Sequence, residues 1–442
     1  KGGEAWVRPV VDRKSNAFKF VVGVGKPPDG FDPKSGTVTR SGATCLLTET
    51  SFELGYIRSQ GQEGLLASRL LAIVVQGTGE RLYISPNETQ EATALELSAP
   101  SDVPQTDLPE QALGFRVQNY GMTRHSELFS ARQLHALTSF ATLAREAMRL
   151  LVSQADEPYA TALATYLSFG VGRCADYWSM FALWAGEFIA HTFGRNALSM
   201  VWDYAEANPF SDATANWLGA IDWIQRVLAK LANLDMVPGV CEQRSATAPV
   251  PYPAVAISTD PPYYDNVPYA DLSDYFYVWL RKCLSDVQPL LFSTLLVPKK
   301  EELVAEPFRH GGKKGAAVFF EHGMRDVFKR LRTACVEDCP VTIYYGFKQA
   351  EEGEDSGESE AALTSTGWET FLQAIIDEGF SLVGTWPVRT ERPGRLRETG
   401  SNALASSIVL VCRPRPADAT LATRKQFIAA LRQELPDALR DL

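Results

Sequence analysis

Val255-Ala256-Ile257-Ser258-Thr259-Asp260-Pro261-Pro262-Tyr263-Tyr264-Asp265-Asn266 (255–266) is the stretch that decides the fold. A short apolar run over 255–258 reads as a buried strand. It stops at Asp260-Pro261-Pro262 because proline cannot donate to a ladder. Downstream the pattern alternates: a helix over 316–331, an apolar strand over 341–347, a helix over 368–377 closed by Gly379, then strands over 380–388 and 407–412. Alternating strands and helices with near-continuous apolar strands predict a wound α/β sheet buried on both faces. The last two strands have no helix between them, so they should pair antiparallel at one edge. EEGEDSGESE (351–360), six acids and no base, reads as a disordered or mobile surface loop.

Upstream, residues 1–85 hold short β-like runs over 5–11, 18–24 and 70–75, broken by turn clusters such as KPPDGFDPKSG (26–36). Residues 1–45 carry eight Lys/Arg against four Asp/Glu, whereas 88–110 has six acids, no base and five Ser or Pro, the signature of a loop or linker. From about Ser130 apolar residues recur at three- and four-residue spacing (Leu134, Leu137, Phe140, Leu143, Met148, Leu151), giving helices through about 192 and again over 213–231. Five of the nine tryptophans fall in this block and are expected in its core. The expected domains are a β-rich region (1–115), a helical block (116–245), an α/β domain (248–415) and a C-terminal helix (416–442).

At 442 residues and 45% hydrophobic composition, the chain is long enough for about three packed domains. Wholly disordered, collagenous and disulfide-stapled classes are excluded. No run of about 18 apolar residues and no signal peptide are visible, so the expectation is a soluble, cytoplasmic protein with no membrane partner. Seven scattered cysteines without a CxxC fit reduced thiols and predict no zinc site. The formal net charge of -10 argues against nucleic-acid binding by bulk positive charge. Lys1 opens in a strand-like region and the chain ends inside a helical pattern, so a longer polypeptide with some machinery outside this window is expected.

Asp-Pro-Pro-Tyr at the carboxyl end of a strand is where an open α/β sheet places its ligands. The chemistry that needs it is methyl transfer to an exocyclic amino nitrogen. An aromatic amine is a poor nucleophile because its lone pair is delocalised. A carboxylate and a backbone carbonyl that both accept from the NH2 draw the nitrogen towards sp³ and stabilise the charge that builds on it. Asp260 supplies the carboxylate and Pro261 the carbonyl. Pro262 stiffens the turn and withholds an N–H, while Tyr263 offers a ring face to an extruded base. The plain alternative is a proline-stiffened turn without activity.

DPPYYDNVPYADLSDYFYVWLR (260–281) resembles the catalytic segment of the amino-methyltransferases. More narrowly, it resembles the large prokaryotic adenine-specific DNA methylases with an embedded zinc ribbon, of the type found in defence islands. The resemblance extends through YGMTRHSELFSARQLHAL (120–137), TFGRNALSMVWDYAEANPFS (192–211), FSTLLVPKKEEL (292–303), VTIYYGFKQ (341–349), GWETFLQAIIDEGF (367–380) and TWPVRTERPGRLRETGSNALASSIVLVCRPR (385–415). It implies a Rossmann-like methyltransferase sheet, here its catalytic half, with the β-rich region and helical block inserted before it. It also implies S-adenosylmethionine as cofactor, double-stranded DNA as substrate, and Asp260, Pro261, Pro262 and Tyr263 as the amine and base site. Two departures stand out. The family's glycine-rich Asp-Pro-Phe cofactor loop has no counterpart, since Gly23-Val24-Gly25, Gly77-Thr78-Gly79 and Gly170-Val171-Gly172 read as backbone punctuation. Cys45 stands alone where the family has a CxxC pair, and one thiol cannot make a tetrahedral zinc site.

Further candidates flank this core. Tyr264 and Asn266 follow the tetrapeptide and are DNA-contact candidates. Lys299 and Lys300 either meet phosphate or form a solvated turn. Arg389, Arg392, Arg395, Arg397, Arg413 and Arg415 give 380–415 six bases against Glu391 and Glu398, a phosphate-facing pattern. Asp203, Glu206 and Asn208 either line the cofactor pocket or cap and connect helices. His191, His310 and His322 have no ligand spacing. The favoured reading is a DNA adenine N6-methyltransferase of an anti-phage defence or restriction-modification system, in which 1–245 reads DNA. N4-cytosine is the competing amine. The partners expected are other defence proteins, or a segment or chain that supplies the glycine-rich loop. From a different class comes a non-catalytic DNA-binding scaffold subunit that retains the fold. Methylation of RNA or of a protein glutamine is a third option, against which the Asp of the tetrapeptide argues.

Overall fold

A computed structural model describes residues 4–39, 41–77, 79–154, 156–194, 197–232, 237–265, 267–346, 359–388, 407–420 and 422–438. The protein is mixed α/β. In chain order its first elements are β1 (Ala5–Asp12), β2 (Ala17–Val24), β3 (Gly42–Thr44), β4 (Ser51–Glu53), α1 (Leu54–Gln62), β5 (Ile73–Gln76), β6 (Arg81–Ile84) and α2 (Glu88–Leu95). There follow α3 (Ala131–Val152), α4 (Glu157–Tyr177), β7 (Leu183–Trp184), β8 (Ile189–Ala190), α5 (Trp217–Leu231), β9 (Ser258–Thr259) and α6 (Tyr269–Leu284). The last are α7 (Lys313–Ala334), β10 (Val341–Gly346), α8 (Ser359–Asp377), β11 (Phe380–Val388), β12 (Ser407–Pro414) and α9 (Arg424–Ala438). Among the described residues no helix is long and apolar enough to cross a membrane.

The chain divides into two compact units, Lys1–Gln243 with Val267–Glu302, and Arg244–Asn266 with Leu303–Leu442. This differs from the expected four-part division. The β-rich and helical regions share one unit, and residues 267–302 leave the α/β domain to join it. The reason lies in α6, which buries Tyr275, Val278, Trp279, Cys283 and Leu284 in a core built with Phe129, Leu137, Cys174 and Trp178.

In the first unit the strands form separate two-stranded antiparallel ladders, β1 with β2, β3 with β4, β5 with β6 and β7 with β8. Such ladders do not stand alone; here β2 lies against β6, with the Val22 N–H donating to the Ser85 hydroxyl just past β6 at 2.9 Å. Ser130 caps α3, with its hydroxyl accepting from the Gln133 N–H at 3.2 Å while the Gln133 side chain accepts from the Ser130 N–H at 2.8 Å. Leu134, Leu137, Ala141 and Ala144 then fall on one buried face. On α4 the small residues Ala160, Ala164, Ser168 and Ala175 let neighbouring helices come close. At Gly170 a Cβ would sit 2.9 Å from Ile221 and 3.2 Å from Trp217 of α5, so glycine is required there by packing.

Three expectations are corrected in this unit. Glu88–Leu95 is helical rather than linker, because Asn87 and Gln90 close a reciprocal capping box that offsets the acidic composition. The helical run ends at Tyr177 rather than near 192, and the β7–β8 ladder follows. The block's tryptophans do not all enter the core. Trp178 is buried and Trp217 stacks on Phe140 at 4.5 Å, but Trp202 and Trp223 are 43% and 54% exposed.

In the second unit four strands are ordered β11-β12-β10-β9. β9 and β10 run parallel, with Ser258 opposite Thr342 and Thr259 opposite Ile343. β12 lies antiparallel to both β10 and β11, so the expected antiparallel pairing of the last two strands is present, with β11 at the edge. The strand predicted over 255–258 is ladder-paired only at Ser258–Thr259, although Val255 already bridges Cys335. Val341, Ile343 and Tyr345 face a core of Phe320, Met324 and Phe328 from α7 and Phe371, Ala374 and Ile375 from α8. Burial on β10 alternates, with Tyr344 38% exposed, where near-continuous burial on both faces was expected. Of the acidic word 351–360, Ser359 and Glu360 belong to α8, and 351–358 lies outside the described residues.

Candidate functional site

The tetrapeptide begins where β9 ends. Pro261 and Pro262 carry no N–H, so the ladder with β10 cannot continue, and the chain turns within three residues. The Tyr264 N–H donates to the Pro262 carbonyl at 3.1 Å, closing a tight turn around Tyr263, and Tyr264 itself lies in the left-handed region at φ 49°. That conformation is costly for a non-glycine residue and persists only where the surroundings hold it. Two contacts hold it here. The Tyr264 carbonyl accepts from the Ala305 N–H at 3.0 Å, and the Tyr264 ring stands edge-on to Phe320 with centroids 5.1 Å apart.

The two adjacent tyrosines therefore have different surroundings. Tyr263 stands edge-on to Tyr345 at 5.7 Å, over the carboxyl end of β10. Its ring lies so close to Gly346 that a Cβ there would be 2.9 Å from it. Tyr264, a DNA-contact candidate from the sequence, packs instead against the helix core, and burial raises its hydroxyl pKa above the ordinary value, with Asp265 adding to the shift. Asp260 is exposed, and its carboxylate makes no hydrogen bond or ion pair to any described residue. No described donor reaches the Pro261 carbonyl. The carboxylate and the carbonyl, one residue apart on a turn stiffened by prolines, are thus two acceptors without a donor among the described residues.

The remaining candidates divide. Lys299 lies in the first unit, where its ammonium is ion-paired with Asp274, a fully buried carboxylate that also accepts from the Val297 N–H at 2.8 Å. Its charge neutralises Asp274 instead of facing solvent. Lys300 is exposed. Asp203, Glu206 and Asn208 also belong to the first unit, not to the unit of the tetrapeptide. Glu206 accepts from the Ser130 hydroxyl and pairs with Arg132 at 3.2 Å, tying the 206 segment to the start of α3. Asn208 closes its own turn, accepting from the Phe210 N–H at 3.0 Å. Asp203 is exposed on one side, and partial burial raises its carboxyl pKa. Two of the three are thus committed to local structure, and the trio does not fit a cradle for S-adenosylmethionine. Arg413 reaches the Asp338 carbonyl at 3.5 Å. Asn266, Arg389, Arg392, Arg395 and Arg397 lie outside the described residues.

Sequence reasoning missed Tyr345, Gly346 and Ala305, which position the tetrapeptide. The signal available was Gly346 itself, a glycine ending the strand parallel to β9, where close approach of another side chain is the usual reason for glycine. Cys45 sits in the turn between β3 and β4, and the Thr48 hydroxyl, followed by the Thr48 and Leu47 N–H groups, lowers its thiol pKa. Among the described residues no group of three or more His, Cys, Asp or Glu is arranged to hold a metal ion. Set against protein-family models, curated proteins and solved structures, the chain matches none of them.

Proposed function

We propose that this chain carries the amine-activating half of a DNA amino-methyltransferase, with adenine N6 as the acceptor and S-adenosylmethionine as the methyl donor. The observation that carries the reading is Asp260. It is an exposed carboxylate with no partner among the described residues, at the carboxyl end of a parallel strand and beside a carbonyl that no described donor reaches. The sheet supports the same reading, because a parallel pair extended by an antiparallel strand is a workable half of a wound methyltransferase sheet.

In this role Asp260 Oδ and the Pro261 carbonyl each accept one N–H of the exocyclic amine. The two bonds pull the lone pair out of conjugation and hold the nitrogen in place while positive charge builds on it. Removing one such group typically costs about 10²–10³ in rate. Tyr263, backed by Tyr345 and Gly346, provides the face on which an unstacked base rests. We assign the cofactor's cradle to another segment or to a partner, within an anti-phage or restriction-modification system. Expression together with the segment or partner that completes the cofactor site, in a host without adenine methylation, followed by nucleoside mass spectrometry of its DNA, tests the reading. N6-methyladenine is expected, and N4-methylcytosine would move the assignment to the other amine. The commitment of Glu206 and Asn208 to local structure favours a second reading, a non-catalytic DNA-binding scaffold, which absence of both products would support.

A further inference from the structure

Between Pro307 and Phe320 the chain reads PFRHGGKKGAAVFF, with Arg309, His310, Lys313 and Lys314 and no acid. Just before it, Ala305 donates its N–H to Tyr264, the residue after the tetrapeptide, and the adjoining Val304 and Glu306 are buried. It then emerges as a built loop. The Gly312 N–H donates to the Pro307 carbonyl at 2.8 Å, and the His310 ring stacks on Phe319 at 3.9 Å. Gly311 and Gly312 take left-handed φ values of 68° and 100°, and a Cβ on Gly315 would collide with the His310 carbonyl.

Lys313 and Lys314, both exposed, open α7 and have no ion-pair partner among the described residues. For stability they are at the wrong end of a helix. The N-terminal turn of a helix favours acids and disfavours cations, and α7 has no acid there to compensate. Two uncompensated lysines on a rigid, acid-free loop tethered to the Asp260 turn call for a polyanion next to that turn.

We infer that the loop 309–314 holds the DNA phosphodiester backbone beside the nucleotide whose base enters the Asp260 turn, with Lys313 and Lys314 as the phosphate-binding cations. The inference rests on the nucleobase reading of the tetrapeptide, and it replaces Lys299 with cations that have no ion-pair partner among the described residues. It is tested by anisotropy of a fluorescein-labelled duplex over a salt series, with the full chain, Lys313→Gln, Lys314→Gln and the double variant. The control is Lys329→Gln, sixteen residues along the same helix and therefore about 24 Å away. Removing one lysine–phosphate pair should flatten the slope of log K against log salt by about 0.9, so the slope of the double variant should fall by about 1.8 while the control keeps its full value. An unchanged slope in the double variant overturns the inference and leaves the proposed function standing, as does a lysine-independent slope shared with the control. No duplex binding at low salt overturns it outright, and lysine-dependent binding of duplex RNA in preference to DNA overturns the choice of DNA. Lysine-dependent DNA binding without any methylated product keeps the inference and removes the methyltransferase reading.

Discussion

Gly346→Ala tests whether the Tyr263 ring lies where the site needs it. The new Cβ would stand 2.9 Å from Tyr263 Cε2, 3.1 Å from Cδ2 and 3.4 Å from Cζ. Retreat is blocked, because Tyr263 backs onto Tyr345, which is itself packed between Phe371 at 4.1 Å and Trp368 at 5.5 Å. Overpacking of this kind costs about 1–3 kcal/mol. Gly346 is not among the glycines with positive φ, so alanine is free of backbone strain and gains about 0.4–1 kcal/mol by restricting the unfolded chain. The substitution should therefore destabilise by about 1–2 kcal/mol in the native background. In a Tyr263→Ala background the clash is gone and only the gain remains, so the same change should become mildly stabilising. A double-mutant cycle read from urea unfolding midpoints isolates the coupling from the packing that the ring itself provides. An equal cost in both backgrounds would show that Tyr263 does not lie against Gly346 and would remove the base-stacking face from the site.

Lys299→Gln should destabilise the protein by about 3 kcal/mol, because it strands the buried Asp274 carboxylate, and adding Asp274→Asn should restore part of the loss in the same unfolding assay. A phosphate-binding role would instead lower DNA affinity and leave the midpoint unchanged. His125 is buried, its Nδ1 3.0 Å from the Thr106 carbonyl, and burial depresses its pKa against the opposing hydrogen bond. A depressed histidine favours the neutral folded form, so its contribution is complete above the unfolded value near 6.5 and is lost as pH falls below it. Its imidazole Cε1–H resonance should keep its neutral position at pH values below the unfolded value near 6.5. Thiol labelling at pH 8 should first reach Cys45, whose thiol pKa is lowered, and the exposed Cys241 and Cys339. Burial raises Cys174 to about 12 and Cys283 and Cys412 to about 11, so these three should react only on unfolding.

Periodicity and turn chemistry made much of the second unit readable in advance. The strand over 380–388 has the bounds of β11, and Gly379, at φ 85°, ends the helix before it. Ser130 was legible as a helix start because its capping partner sits three residues on. What failed was whatever depended on distant packing. The apolar spacing of α6 is plain from Tyr275, Val278 and Trp279, but no local signal says that a helix directly after the tetrapeptide joins a core built from Leu108 to Leu198. Composition misled at Glu88–Leu95, where six acids over 88–110 outweighed a two-residue capping box. Tyr263 and Tyr264 are alike as letters, and only the left-handed turn at Tyr264 separates a ring over the strand end from one in the helix core. The lysine pair at 313–314 has no local signature, because its meaning depends on the hydrogen bond between Ala305 and Tyr264.

The role of Asp260 is tested most directly by single-turnover transfer of a tritiated methyl group from S-adenosylmethionine to duplex DNA. The full chain, supplemented where needed with the segment or partner that completes the cofactor site, is compared with its Asp260→Asn variant. Label should appear on adenine N6, and Asp260→Asn, which keeps the size but replaces an acceptor oxygen with a donor, should slow transfer by about 10²–10³ without moving the unfolding midpoint. Transfer at an undiminished rate by the variant would contradict the assignment of Asp260 to the amine.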